Sequence, residues 1–121
     1  VFWVKLSLRD PADSLYLSRM LDAIERIRLY TLDMDQAAFL ADPRTCDAVA
    51  MNLLAIGENA SKLPPDVWAL APEADWRDAI NLRHRIAHGY DDLSFSILWS
   101  IVVVELDSLA TAIERIIAAK A

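Results

Sequence analysis

The chain has 121 residues, 55% of them hydrophobic, with only two glycines and a formal net charge of −6. That length supports one hydrophobic core, and poverty in turn-formers beside abundant Ala, Leu and Ile favours an all-helical domain over a sheet protein. The acidic balance excludes general electrostatic attraction to nucleic acid, so any RNA contact must come from a local basic patch.

The opening residues Val1 to Leu6 are apolar but lack the basic leader and small-residue cleavage site of a signal peptide. Residues 1–9 are read as a ragged extension without an assigned element, within a single helical domain spanning 1–121. Asp10-Pro11 opens the first helix, with Asp10 as N-cap and Pro11 at the first helical position, where its missing N–H is harmless. Leu15, Leu17, Leu21, Ile24, Ile27 and Leu32 recur at roughly helical spacing as its core face. Asp22 and Glu25 stand three or four residues from Arg26 and Arg28, a surface pairing distance. Asp33 to Ala41 predicts a short helical turn, closed by Asp42-Pro43.

A longer helix is expected from Arg44 to Leu63, ending at Pro64-Pro65, which removes donors and forces the preceding residue out of the helical region. It carries Cys46, the only cysteine, which rules out an intramolecular disulfide and fits a reducing cytoplasm. Asn52 and Glu58 interrupt its apolar faces. Gly57 sits in mid-helix, where glycine costs about 1 kcal/mol against alanine and permits close approach of another element. Asp66 to Leu70 predicts a single turn, and Ala71-Pro72-Glu73-Ala74 a loop. Asp75 caps the next helix, which begins at Trp76, and Gly89 is placed to stop it in a left-handed conformation.

Ser94 starts a last long helix to about Ala119. Its β-branched run Ile101 to Val104 could pass for a buried strand, but Leu98, Val102, Leu106, Leu109, Ile113 and Ile116 continue the helical spacing. The apolar run Ile97 to Val104 is interrupted by Ser100 and too short to cross a bilayer, so no membrane partner is expected. The architecture predicted is an up-and-down four-helix bundle with short extra turns. Four tryptophans and several long apolar faces are generous for so small a bundle, which points to a second copy of the chain.

The stretch Leu82-Arg83-His84-Arg85-Ile86-Ala87-His88-Gly89-Tyr90 gathers both histidines, two arginines and one of the two glycines. Three readings compete for it. His84 and His88 share a helical face and could ligate one ion with Asp91 or Asp92, although Arg83 and Arg85 would repel a cation and no HExxH arrangement is present. Alternatively the cluster is structural, His88 complementing the helix dipole and the arginines pairing with nearby acids. The third reading is acid–base work on a phosphodiester. Imidazole can take a proton from a ribose 2′-hydroxyl or give one to the leaving oxygen, and guanidinium can hold phosphate oxygens as charge builds. Arg83 and His88 lie roughly 140° apart on an ideal helix, so their convergence requires the helix to end at His88 or a second copy to close the site.

Arg83, four residues, His88, one residue and Tyr90 resembles the R-x4-H-x-Y motif of the HEPN superfamily, specifically the HepT toxins. The likeness takes in Arg9-Asp10-Pro11, Met51-Asn52-Leu53, Ile56-Gly57-Glu58-Asn59-Ala60, Trp76-Arg77 and Leu98-Trp99 with Ile101. His84 stands where such proteins often have Asn or Asp, and Asp91-Asp92 is a departure that places two acids beside the motif. The resemblance implies a homodimeric HEPN-like bundle acting as a metal-independent, cofactor-free, cytoplasmic endoribonuclease toxin of the type VII class. It implies that Arg83 holds phosphate, His88 acts as general acid or base, and a minimal nucleotidyltransferase antitoxin attaches AMP to Tyr90. His84, Arg85 and Glu58 are candidate supporting residues. The rival expectation is a non-catalytic helical adaptor that binds a nucleotide and a nucleotidyltransferase.

Overall fold

The computed structural model describes residues 11–120. Asp10 as N-cap and the extension 1–9 lie outside the described residues. Among the described residues seven α-helices follow one another: α1 (Pro11–Tyr30), α2 (Gln36–Leu40), α3 (Pro43–Ser61), α4 (Pro65–Trp68), α5 (Trp76–Gly89), α6 (Phe95–Val104) and α7 (Leu106–Lys120). A 3-10 turn, Tyr90–Asp92, joins α5 to the α6 side. No strand is present among the described residues, and the all-α expectation holds.

Helix α3 is the axis of the molecule, packed against α1 on one side and α5 on the other. It starts where Asp42 caps it, the carboxylate accepting from the Thr45 N–H at 3.2 Å and from the Thr45 hydroxyl at 2.7 Å. Its inward stripe includes Val49, Ala50, Leu53, Ile56 and Ala60, all buried. Cys46 is a free, buried thiol on the same helix, and burial pushes its pKa up. The core face of α1 differs from the sequence expectation. Leu17, Met20, Ala23, Ile24 and Ile27 are buried, whereas Leu15 and Leu32 are exposed. Leu15 stands about 200° from Leu17 around the helix, and Leu32 follows the helix end, in a turn that passes through Asp33 at φ 62°. Arg26 reaches across to Asn52 of α3 at 2.9 Å, while Arg28 pairs with Glu25 and Asp107.

Helix α2 is capped by Asp35, which accepts from the Ala38 N–H at 2.8 Å. It buries Phe39 against Trp99 of α6, ring centroids 5.1 Å apart. The expected single helix from Ser94 to Ala119 is two helices: the chain breaks at Glu105, and α6 and α7 meet at 49°. The β-branched run before the break is a poor helix former. Bending lets α7 return onto α1, burying Leu106, Ile113 and Ile116, and Arg28 meets the exposed Asp107 at 2.7 Å beside the corner. No single helix among the described residues is long and apolar enough to cross a membrane.

Candidate active site

The site is built on α5. Asp75 caps this helix, accepting from the Asp78 N–H at 3.0 Å, and Trp76 and Ile86 anchor its buried face. The polar residues of this helix divide into two groups around it, as the angle between Arg83 and His88 requires.

Arg83 turns toward α3. Its Nε donates to Glu58 Oε2 at 2.7 Å, with both side chains about one-third exposed. Gly57 makes this meeting possible. A Cβ at position 57 would lie 2.5 Å from Arg83 Cβ and 2.5 Å from the Ala79 carbonyl oxygen, so α3 and α5 touch backbone to backbone where the guanidinium leaves its helix.

His84 and His88 occupy another face, one turn apart, with ring centroids 6.0 Å apart and planes 20° from parallel. Both are exposed. They line a recess of about 400 Å³ together with Arg85, Gly89, Asp92 and Leu93. The structure thus brings His84, Arg85 and His88 together and holds Arg83 apart from them, on Glu58. Among the described residues no group of three His, Cys, Asp or Glu side chains is arranged to hold a metal ion.

Gly89 does not take the left-handed conformation expected of it. Its φ of −152° and ψ of 37° lead directly into the 3-10 turn, closed by the Leu93 N–H on the Tyr90 carbonyl at 3.0 Å. Tyr90 therefore folds back over α3, its ring 6.3 Å from that of Phe95 and its hydroxyl donating to Asp47. Burial, and then the Asp47 carboxylate, push the Tyr90 phenol well above the ordinary tyrosine range. Asp47 was not a sequence candidate. It lies 43 residues from Tyr90 at an ordinary exposed helical position, and nothing local marks it. Asp91 and Asp92 are both exposed, and Asp92 borders the histidine recess.

Beside the recess runs a groove of about 880 Å³ between α5 and the α6–α7 arm, mostly apolar but edged by Glu73, Asp75, Asp78 and Glu105. Leu53 and Ile56 form its floor; Leu82, Ile97, Ile101 and Val104 line its sides. Arg85 lines both groove and recess, so the two adjoin.

Residues 20–116 match the family model described as ribonuclease HepT-like. The chain belongs to the HepT-like ribonuclease family. "Probable ribonuclease HepT" of Thermococcus cleftensis is 33% identical over 101 residues, covering 84% of this chain and 92% of that protein. A protein of Methanocaldococcus jannaschii that carries an RNase name is 32% identical over 102 residues, covering 84% of each chain. No solved structure matches the chain. The expectation of an enzyme, a ribonuclease, is met at the level of this HepT-like family.

Proposed function

We propose that this chain is a homodimeric endoribonuclease toxin that cleaves RNA without a metal ion and is silenced by a minimal nucleotidyltransferase antitoxin. The observation that carries the reading is the open recess at the end of α5, where two exposed imidazoles and a guanidinium share one cavity in an otherwise acidic protein. A recess of that chemistry suits a phosphodiester: cations attract the phosphate, and imidazole exchanges protons near neutral pH.

His88 serves as general acid or base. Arg83 holds the phosphate in the transition state, where a guanidinium stays charged and binds oxygens in pairs. Glu58 engages only Nε of Arg83, so it orients the guanidinium and leaves the terminal nitrogens for phosphate oxygens. The separation of Arg83 from His88 around the helix suits a site completed by a second protomer, whose α5 faces the first across a shared cleft. The apolar groove beside the recess, with Val104 71% exposed at its edge, is the surface that such a dimer would cover.

Tyr90 is the proposed point of silencing. Its oxygen attacks the α-phosphorus of ATP, pyrophosphate leaves, and the hydroxyl proton passes to an acceptor, for which Asp47 already stands in place. Each AMP added puts negative charge and bulk two residues from His88, where it repels an incoming RNA phosphate. Asp92 at the recess favours the rival reading, a helical adaptor for a nucleotidyltransferase and a nucleotide, because a carboxylate there opposes a phosphate.

Incubating the purified protein with total RNA in EDTA separates the two. Cleavage leaving 2′,3′-cyclic phosphate ends supports the enzyme; intact RNA together with tight binding of the nucleotidyltransferase supports the adaptor. His88→Ala is expected to abolish cleavage and growth inhibition while keeping fold and dimer, and Arg83→Ala to lower the rate about 100-fold or more. Intact mass after co-expression with the nucleotidyltransferase should rise by whole AMP units, and Tyr90→Phe should show no gain.

A further inference from the structure

We propose that single-stranded RNA runs from the cleavage site across the outer face of α3 to a phosphate-binding track on α1, formed by Arg26 seated on Asn52 and Arg19 seated on Asn59. The proposal rests on the ribonuclease reading above and assigns where the substrate is held beyond the scissile bond.

Helices α1 and α3 run antiparallel, and two contacts fix their register. Arg26 Nε donates to Asn52 Oδ1 at 2.9 Å, and Lys62 Nζ lies 5.5 Å from the centre of the Tyr16 ring. The same register sets Arg19 opposite Asn59, each seven residues, or about 10 Å, along its helix from the first pair. The two asparagines are held alike. Asn52 is 8% exposed and donates its Nδ2 to the Ala48 carbonyl at 2.9 Å; Asn59 is 8% exposed and donates to the Ala55 carbonyl at 2.8 Å. Asn52 Oδ1 receives Arg26, whereas the buried Asn59 Oδ1 accepts no hydrogen bond among the described residues. A buried acceptor calls for a donor, and Arg19, exposed on the facing helix, is the one that the register supplies.

Arg83 stands on the other flank of α3 in the same manner, its Nε on Glu58. An arginine held through Nε keeps both terminal nitrogens, the pair that grips the oxygens of one phosphate. Between the flanks α3 presents Ala48 and Ala55, both half-buried, and Met51, 64% exposed, a low apolar surface on which bases can rest. Of the acids on this face, Glu58 is engaged by Arg83 and Asp47 by Tyr90. Asp22 is exposed about one turn from both Arg19 and Arg26 and opposes an anion there. In a protein of net charge −6, repeated guanidiniums on one face make the local basic patch that an RNA backbone needs. A linear polyanion fits two rungs spaced along a helix better than a single carboxylate does.

The test is fluorescence anisotropy of the full chain with a labelled 2′-O-methyl oligouridylate of about 12 nucleotides, in salt from about 0.1 to 1 M. This oligomer cannot cyclise and so stays intact. Arg26→Gln and Arg19→Gln should each lower the slope of log affinity against log salt by about 0.7, the share of one phosphate contact on a single strand, and weaken binding about 5-fold at the low-salt end. Asp22→Asn should tighten binding, an effect that damage to the fold cannot imitate. Asn59→Ala should weaken binding, and little further when combined with Arg19→Gln, because one side chain acts through the other. In cleavage of the unmodified oligomer in EDTA, Arg26→Gln should raise KM and keep kcat. Unchanged circular dichroism will show that the variants fold. Arginine variants that bind with wild-type affinity and salt slope overturn the track and leave the ribonuclease reading in place. So does a loss confined to binding of the nucleotidyltransferase, which would make this face a protein interface. A wild type that binds the oligomer but cleaves no RNA overturns the ribonuclease reading and leaves the track standing as a binding surface.

Discussion

A phenol that is partly buried and donates to a carboxylate has two reasons to keep its proton, and Tyr90 has both. The contact with Asp47 fastens the turn after His88 to α3, so it bears on where the His88 ring sits. The sign of its pH dependence follows from the raised pKa. Below the ordinary tyrosine range the phenol is neutral in folded and unfolded chains alike, and its contribution to stability is complete. As pH rises past that range the unfolded chain ionises first, and stability is lost progressively toward the folded pKa. Thermal unfolding at pH 8 and pH 10.5 should therefore show a smaller alkaline loss for Tyr90→Phe than for the wild type. In a spectrophotometric titration Asp47→Asn should bring the phenol only part of the way down, since burial is the larger cause. A titration of Tyr90 in step with the other tyrosines would contradict the contact.

At the scale of elements, the meeting of α3 with α5 is decided by one residue. Gly57 leaves room for the Ala79 carbonyl and for Cβ of Arg83, and any side chain there must displace backbone. Alanine would gain about 1 kcal/mol of intrinsic helix propensity but incur an overpacking cost of about 1–3 kcal/mol. Gly57→Val adds crowding and gains less propensity. We expect Gly57→Val to lower the urea midpoint clearly, Gly57→Ala less so, and both to reduce RNA cleavage by shifting Arg83 off Glu58. A Gly57→Val protein as stable and active as the wild type would show that the helices are not in contact there. The mid-helix glycine was legible in the sequence as a point of close approach, because glycine's cost in a helix needs a reason. Gly89 was not legible: glycine adopts either sign of φ, and here the tight turn is held by Tyr90 and Phe95 from outside the helix. The break at Glu105 was hidden for a related reason, since apolar spacing can continue across a bend.

At the scale of the whole molecule, exposed apolar side chains are spread over several faces, and one group of them lies on α6. Ile97 at the groove and Val103 and Val104 at the end of α6 are exposed, beside a floor formed by core residues of α3. In the proposed dimer this surface is covered. Val104→Glu should leave the protomer's helical circular dichroism unchanged, because the side chain is 71% exposed in the isolated chain. It should convert the dimer to monomer in sedimentation equilibrium and lower RNA cleavage with it. A Val104→Glu dimer of wild-type affinity would place the interface elsewhere. The sequence by itself determined the helical class, the cap at Asp75, and the angular offset between Arg83 and His88, all of which arise from contacts within a few residues along the chain. Only the tertiary structure decided that Glu58 receives Arg83 and that Asp47 receives Tyr90. Those pairings depend on how α3 and α5 are rotated and spaced against each other, a balance of many packing contacts that no local spacing encodes.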